Sequence, residues 1–330
     1  VAARTIKGKA SSRYQVAYTV KLPKVSNDGT PITRWDIQVT RTTSDSTEAG
    51  TQDDLYFDSY SEVTTKKLTY PNSALVATRV NSEHFSSMPK REYLVDGLLI
   101  KVPSNYNHVT REYTGIWDGS FKLAPTSNPA WIMFDILTNN RYGLGEYIDA
   151  GLVDEARLYQ IGRYCDQMVD DGFGNLEPRY TINCTINSRA EAYDLIADIC
   201  SAFNGMSYWA GGQVGFTIDA PSDPVMAFTS ANIEGEFGYS GTSVKDRHSI
   251  AVVTWNDPKD DYKQAVEYVE DSDLIERYGV RKIEIQAFGC TSRAQAHRYG
   301  RWILYTEHQQ SEVCSFTAGM DASTLMPGSI

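Results

Sequence analysis

The chain has 330 residues, 41% hydrophobic and 22% charged, the balance of a folded globular protein, and its length implies two or three domains. No apolar run approaches the ~18 residues that span a bilayer, and the opening VAARTIKGKA lacks the apolar stretch of a secretion signal. A net charge of −11 argues against a nucleic-acid-binding surface, which needs clustered Lys and Arg, and it favours solubility.

Residues 14–22, YQVAYTVKL, set Tyr14, Val16, Tyr18, Val20 and Leu22 at alternate positions, the period of a half-buried strand. Asp28-Gly29 supplies a turn, and Trp35, Ile37 and Val39 alternate again. Beyond the polar loop TRTTSDSTEAGTQDD, Val76, Thr78 and Val80 give a further short strand. Residues 1–85 therefore read as a β-sandwich-like module. Asp96-Gly97 turns the chain into LLIKV, and residues 86–127 read as a β segment followed by a connection rich in Pro, Ser and Asn.

The period changes at NPAWIMFDILTNNRYGLG, residues 128–145. Asn128 is a natural N-cap and Pro129 a natural first helical residue. Ala130, Met133, Phe134 and Leu137 then share one helical face, while Trp131, Ile132 and Ile136 make the other faces apolar, so this helix should be buried nearly all round. After the Gly143 turn, Leu144 and Tyr147 are expected to tuck back. A second helix carries Leu158, Ile161, Cys165 and Met168 behind an Asp154 cap. In the third, Ser188 and Glu191 form an S-x-x-E capping box. Ala192, Leu195, Ile196, Ile199 and Phe203 line one face there, and Gly205 is placed to end the helix. A hairpin with a Gly211-Gly212 turn follows, so residues 128–232 read as an α+β domain.

Residues 233–330 return to β. SIAVVTW, AVEYV and RKIEIQAFG read as strands, the first closed by a turn at Asp257-Pro258. One helix interrupts them, capped by Thr291 or Ser292, with Ala296, Tyr299 and Ile303 spaced to pack on a sheet. VCSFTAG is a last strand. Pro327-Gly328 is a turn without a strand after it, the mark of a segment cut from a longer protein. The fold class is α+β and β-rich.

No stretch carries a catalytic signature. Gly143 and Gly145 follow a helix, and Ile148 stands where a dinucleotide fingerprint needs its third glycine. His84, His108, His248, His297 and His308 form no metal-binding pair, although His297 and His308 share a face if their helix runs that far. The cysteines, Cys165, Cys184, Cys200, Cys290 and Cys314, show no C-x-x-C spacing and read as small hydrophobes in a reducing compartment. The acidic doublets at Asp53-Asp54, Asp170-Asp171 and Asp260-Asp261 lack the alternating ligands of a calcium loop and read as solvated turns. A carboxylate pair assembled across domains for glycoside hydrolysis stays open, because it needs only spatial proximity. The 21 tyrosines and six tryptophans fit sugar platforms as well as strands and interfaces.

The strings VKLPKVSNDGTPITRWDIQV, NPAWIMFDILTNNRYGLG, NSRAEAYDLIADICSAFNGMSYW and TSVKDRHSIAVVTWNDP resemble the tail-tip protein J family of lambda-like phages, also called host-specificity or tip attachment proteins. The resemblance runs over essentially the whole chain, whereas family members are much longer. It implies a tail hub at the virion tail tip, made in the host cytoplasm. In such a hub a homotrimeric ring closes the tail tube, and tape-measure protein and DNA leave through it. It implies contacts with other tail-tip and tail-tube proteins, and with a host outer-membrane receptor through a C-terminal region this chain lacks. Residues 86–127 and 233–330 would then be hub β domains. No catalytic, cofactor or metal residues come with the resemblance, and no specific nucleic-acid binding. A carbohydrate-binding or host-adhesion module and a cell-wall hydrolase are the competing classes.

Overall fold

The computed structural model describes residues 15–330 apart from 27, 28, 33, 37, 49, 51, 52, 62, 64–66, 72, 79, 81–86 and 187–190. The chain divides into two compact units, Val1–Lys90 and Arg91–Ile330.

In the first unit the expected strands are absent from the described residues, where the one ladder contact is the Val25–Pro31 bridge. Val16, Tyr18, Val20 and Leu22 are each about half exposed, as are Trp35 and Val39. Alternation alone does not make a strand. It needs a neighbour to take the backbone groups and a surface to cover the apolar face, and the described residues supply neither. Tyr14, Asp28 and Ile37 lie outside the described residues. Arg41 is the polar centre of this unit, pairing with Asp45 at 2.6 Å and with Asp53.

The second unit holds two cores. The first is built around α1 (Pro129–Thr138), in which every residue except Ile132 is buried. Asn128 caps it through Oδ1, which accepts from Ala130 N at 2.9 Å, and Pro129 needs no donor there. Against α1 pack the antiparallel pair β1 (Ile100–Pro103) and β4 (Phe121–Ala124). Between these lies the short pair β2 (Tyr106–Asn107) and β3 (Glu112–Tyr113). Helix α2 (Glu155–Cys165), capped by Asp154, lays Leu158, Ile161 and Cys165 on α1. The fourth residue expected on that stripe, Met168, lies past the helix end in β5 (Met168–Asp170), paired with β6 (Leu176–Pro178), and is exposed. Leu144 tucks back as expected, but Tyr147 stands 83% exposed.

Helix α3 (Ala192–Ser201) closes this core through Ile199, with Leu195 and Ile196 partly buried and Ala192 exposed. Ser188 of the expected capping box lies outside the described residues, and Glu191 makes no side-chain cap bond. Gly205 does not end the helix. Asn204 takes the left-handed position at φ 54, and Gly205 opens β7 (Gly205–Ala210), where a Cβ would strike the Phe203 ring and the Thr217 carbonyl. Strand β8 (Gln213–Ile218) pairs with β7 across Gly211-Gly212, both residues at positive φ as a two-residue hairpin turn demands.

The second core lies under a three-stranded sheet with β10 (Ile250–Asp257) at its centre. Strand β11 (Lys263–Glu270) is antiparallel on one side and β12 (Lys282–Gln286) parallel on the other. Helix α5 (Arg293–Gln309), capped by Ser292, crosses this sheet closely enough that a Cβ on Gly300 would strike Val253 and Val269. Besides the short strands β2 to β6, two elements of this part of the chain escape the sequence reading. Helix α4 (Ser272–Tyr278) buries only Leu274, and β9 (Ile233–Gly241) pairs with β13 (Glu312–Ala318) in a largely exposed ribbon.

A buried polar junction as the candidate functional site

Three elements of the first core meet at one carboxylate. Asp166, at the C-cap of α2, is 5% exposed. Its Oδ1 accepts from Arg111 Nη1 at 3.0 Å, and its Oδ2 accepts from Tyr113 OH at 2.9 Å and Asn128 Nδ2 at 2.6 Å. The Arg111 guanidinium also donates to Ser127 Oγ at 2.5 Å, and Trp131 Nε1 donates to the Tyr113 hydroxyl at 2.9 Å. Arg111 is brought there by a tight turn. Asn107 accepts Val109 N at its side chain and Arg111 N at its carbonyl, leaving Arg111 itself at φ 61.

Burial raises the Asp166 carboxyl above the usual carboxylate range, while bonds from Asn128 and Tyr113 and the Arg111 charge pull it back. Burial, and then the Asp166 charge, push the Tyr113 phenol up. With three donors already on its two oxygens and almost no exposure, this carboxylate is held by its neighbours rather than presented to a substrate, so its chemistry is that of an anchor. Removing one partner of such a pair costs about 3–5 kcal/mol, because the other charge stays buried. Sequence reasoning missed Arg111 and Asp166 because they lie 55 positions apart with no periodic signal.

A second polar seam joins the two cores. Glu177 accepts from Ser292 Oγ at 2.6 Å and Arg298 Nη1 at 2.7 Å. Gln295, 5% exposed, accepts from Thr181 N and returns a bond to the Thr181 carbonyl. These bonds fix the N-terminal half of α5 to β6 and the segment that follows it.

The candidate chemical groups are dispersed. His297 and His308 do share α5, yet His297 meets Glu267 at 3.1 Å and His308 faces the Tyr278 ring edge-on. His248 meets Glu307 at 3.0 Å, His108 is exposed, and His84 lies outside the described residues. Among the described residues no three of His, Cys, Asp and Glu stand close enough to share a metal ion. Asp170 and Asp171 accept backbone amides of their own turn, and Asp260 pairs with Lys263. Cys165, Cys200 and Cys290 are buried, whereas Cys184 and Cys314 are exposed, so the small-hydrophobe reading holds for three of the five. Gly143 and Gly145 sit under the end of α1, where a Cβ would collide with the carbonyls of Ile136 and Thr138. That is a packing reason for both glycines.

Comparison with known proteins places these features in a family context. A family model described as a putative phage tail protein matches residues 191–330, and one for the FNIII-A domain of tip attachment protein J matches residues 1–66. Tip attachment protein J of Escherichia phage SECphi27 is 41% identical over 318 residues, covering 96% of this chain and 26% of that protein. The protein of the same name in Escherichia phage SECphi4 is 33% identical over 325 residues, covering 98% of this chain and 28% of that protein. The chain thus spans about a quarter of the length of the curated relatives it matches.

Proposed function

Because the chain belongs to the phage tail-tip protein J family, we propose that it is a structural segment of a siphophage-type tail tip. In this reading it forms with two other copies a ring that closes the tail tube. The ring links the tube to the receptor-binding part of the protein, for host attachment and DNA ejection. Its neighbours are other tail-tip and tail-tube proteins and the tape-measure protein, and its place is the tail tip of the virion, reached from the host cytoplasm. Residues 1–85 form a β-sandwich-like module, which the FNIII-A match supports. Residues 86–127 and 233–330 belong to hub β domains around the α+β domain of 128–232. No catalysis, cofactor or metal is assigned.

One observation carries the reading: identity of 41% extends through 96% of the chain, so it covers both cores and not one motif. Ring contacts in a trimer are heterologous, each copy using two different surfaces, and several domains share them. The 330-residue chain should therefore be mostly monomeric at micromolar concentration by light scattering, and the full-length protein trimeric. Antibodies to the chain should label the tail end distal to the head. A stable dimer in both proteins, or label elsewhere on the virion, overturns the proposal.

A further inference from the structure

Outside the polar junction an open groove of about 720 Å³ runs between the β3 edge and helix α2. That size falls in the range of ligand sites, roughly 300–1,000 Å³. One wall is the backbone of 111–114; the other is the α2 face bearing Gln160 and Arg163, with Gln167 just past the helix end. Asp166, already holding Arg111, Tyr113 and Asn128, closes the floor.

The ladder shows what the strand wall offers. Thr114 N donates to Asn105 O at 3.0 Å, which makes Asn105 and Thr114 a hydrogen-bonded pair. Tyr106 stands opposite Tyr113 in the next register position, a non-hydrogen-bonded pair. In such a pair the backbone N–H and C=O point away from the partner strand. Tyr113 therefore turns its amide and carbonyl off the free edge of β3, and no described residue takes either group. On the helix wall, Arg163 is exposed and makes no ion pair among the described residues. Glu112, on the strand lip, is the one carboxylate of the lining besides the paired Asp166.

We propose that this groove binds an extended acidic polypeptide segment, whose backbone pairs with the Tyr113 N–H and C=O and whose carboxylate meets Arg163. Strand addition at a free edge supplies main-chain bonds to any sequence, and the helix wall supplies selection. Arg163 sets that selection, because Arg111 is committed to Asp166 and Glu112 repels an anion placed against the strand. The site is independent of how many copies assemble.

The test uses the 330-residue chain and end-blocked, fluorescein-labelled Ser-Val-Glu-Val-Ser peptide, with Lys and Gln counterparts at the central position. The Glu peptide should bind by anisotropy, and the Lys peptide about tenfold more weakly. Arg163→Glu should reverse that order and Arg163→Gln abolish it. Both variants should keep the parent's thermal melt, since the Arg163 side chain is exposed and makes no ion pair among the described residues. The Tyr113 amide resonance should shift and gain exchange protection when the Glu peptide binds. Three outcomes each overturn the proposal: no binding at millimolar peptide, binding indifferent to Arg163→Glu, or equal competition by acetate alone.

Discussion

Asn128 Nδ2 donates to Asp166 Oδ2 across 2.6 Å, so the residue that opens α1 is gripped by the residue that closes α2. The same amide nitrogen also reaches Gly162 O at 2.8 Å, while Oδ1 caps α1 through Ala130 N. Asn128→Ala removes the cap, costing about 0.5–2 kcal/mol, and leaves a buried carboxylate one donor short, costing about 1–3 kcal/mol more. Urea unfolding should therefore show a loss of about 2–4 kcal/mol; a loss below ~0.5 kcal/mol would mean the junction is not an anchor.

Asn128→Asp keeps the cap but sets a second carboxylate beside Asp166, whose acid is already raised by burial. A raised acid takes up its proton more readily in the folded state than in the unfolded one. Stability thus grows as pH falls through the folded value. Asn128→Asp should be weakest near neutral pH and approach the parent in mild acid. A gap that widened on acidification would contradict the assignment.

Helix α3 gives a cleaner packing test. Ile199 is fully buried in the first core, whereas Asp194, five residues earlier, faces solvent on the opposite side. Ile199→Ala should cost about 2–5 kcal/mol through lost contact and a cavity. Asp194→Asn should change stability by about 0.5 kcal/mol or less. Equal melting of the two variants would show the helix face to be misassigned.

What could be read in advance was what is written locally. Asn128-Pro129 announces a helix start because the cap and the fixed φ act within one turn, and Gly211-Gly212 announces a hairpin because both residues must adopt positive φ. Strand β9 was hidden because Gly235, Gly238 and Gly241 interrupt its alternation and neither face is buried. Helix α4 is too short for periodicity, with Leu274 its single buried side chain. For the alternating run at 14–22 the pattern is present, but no described neighbour pairs with it. The Asp166 junction had no local trace at all, since Arg111, Asn128 and Asp166 meet only once two helices and a hairpin have packed.

Gly300 sets two effects against each other. Alanine is favoured over glycine inside a helix by about 1 kcal/mol. Here the added Cβ would lie 2.7 Å from Val269 Cγ2 and 3.0 Å from Val253 Cγ2. Overpacking of that kind costs about 1–3 kcal/mol, and these valines stand on paired strands that cannot easily retreat. Gly300→Ala should thus be destabilising by about 1 kcal/mol, and Val269→Ala should relieve part of that cost in a double-mutant cycle. Additive effects would mean that α5 does not lie on the valines as described.

The charge balance bears on how DNA would meet this protein. The chain carries 31 basic and 42 acidic residues, a net charge of −11. Several cations are held by carboxylates: Arg111 by Asp166, Arg293 by Glu267, Arg298 by Glu177 and Lys263 by Asp260. Affinity for duplex DNA comes mainly from free Lys and Arg displacing counterions, and it falls steeply with salt. A surface whose excess charge is negative repels the phosphate backbone. Such a surface would suit the DNA passage proposed above, because DNA that sticks to its passage leaves slowly. Labelled duplex titrated with the chain at low ionic strength should show no saturable binding, and Arg163→Glu should leave that result unchanged. Tight binding that weakens steeply with added salt would contradict both the charge argument and the proposed conduit.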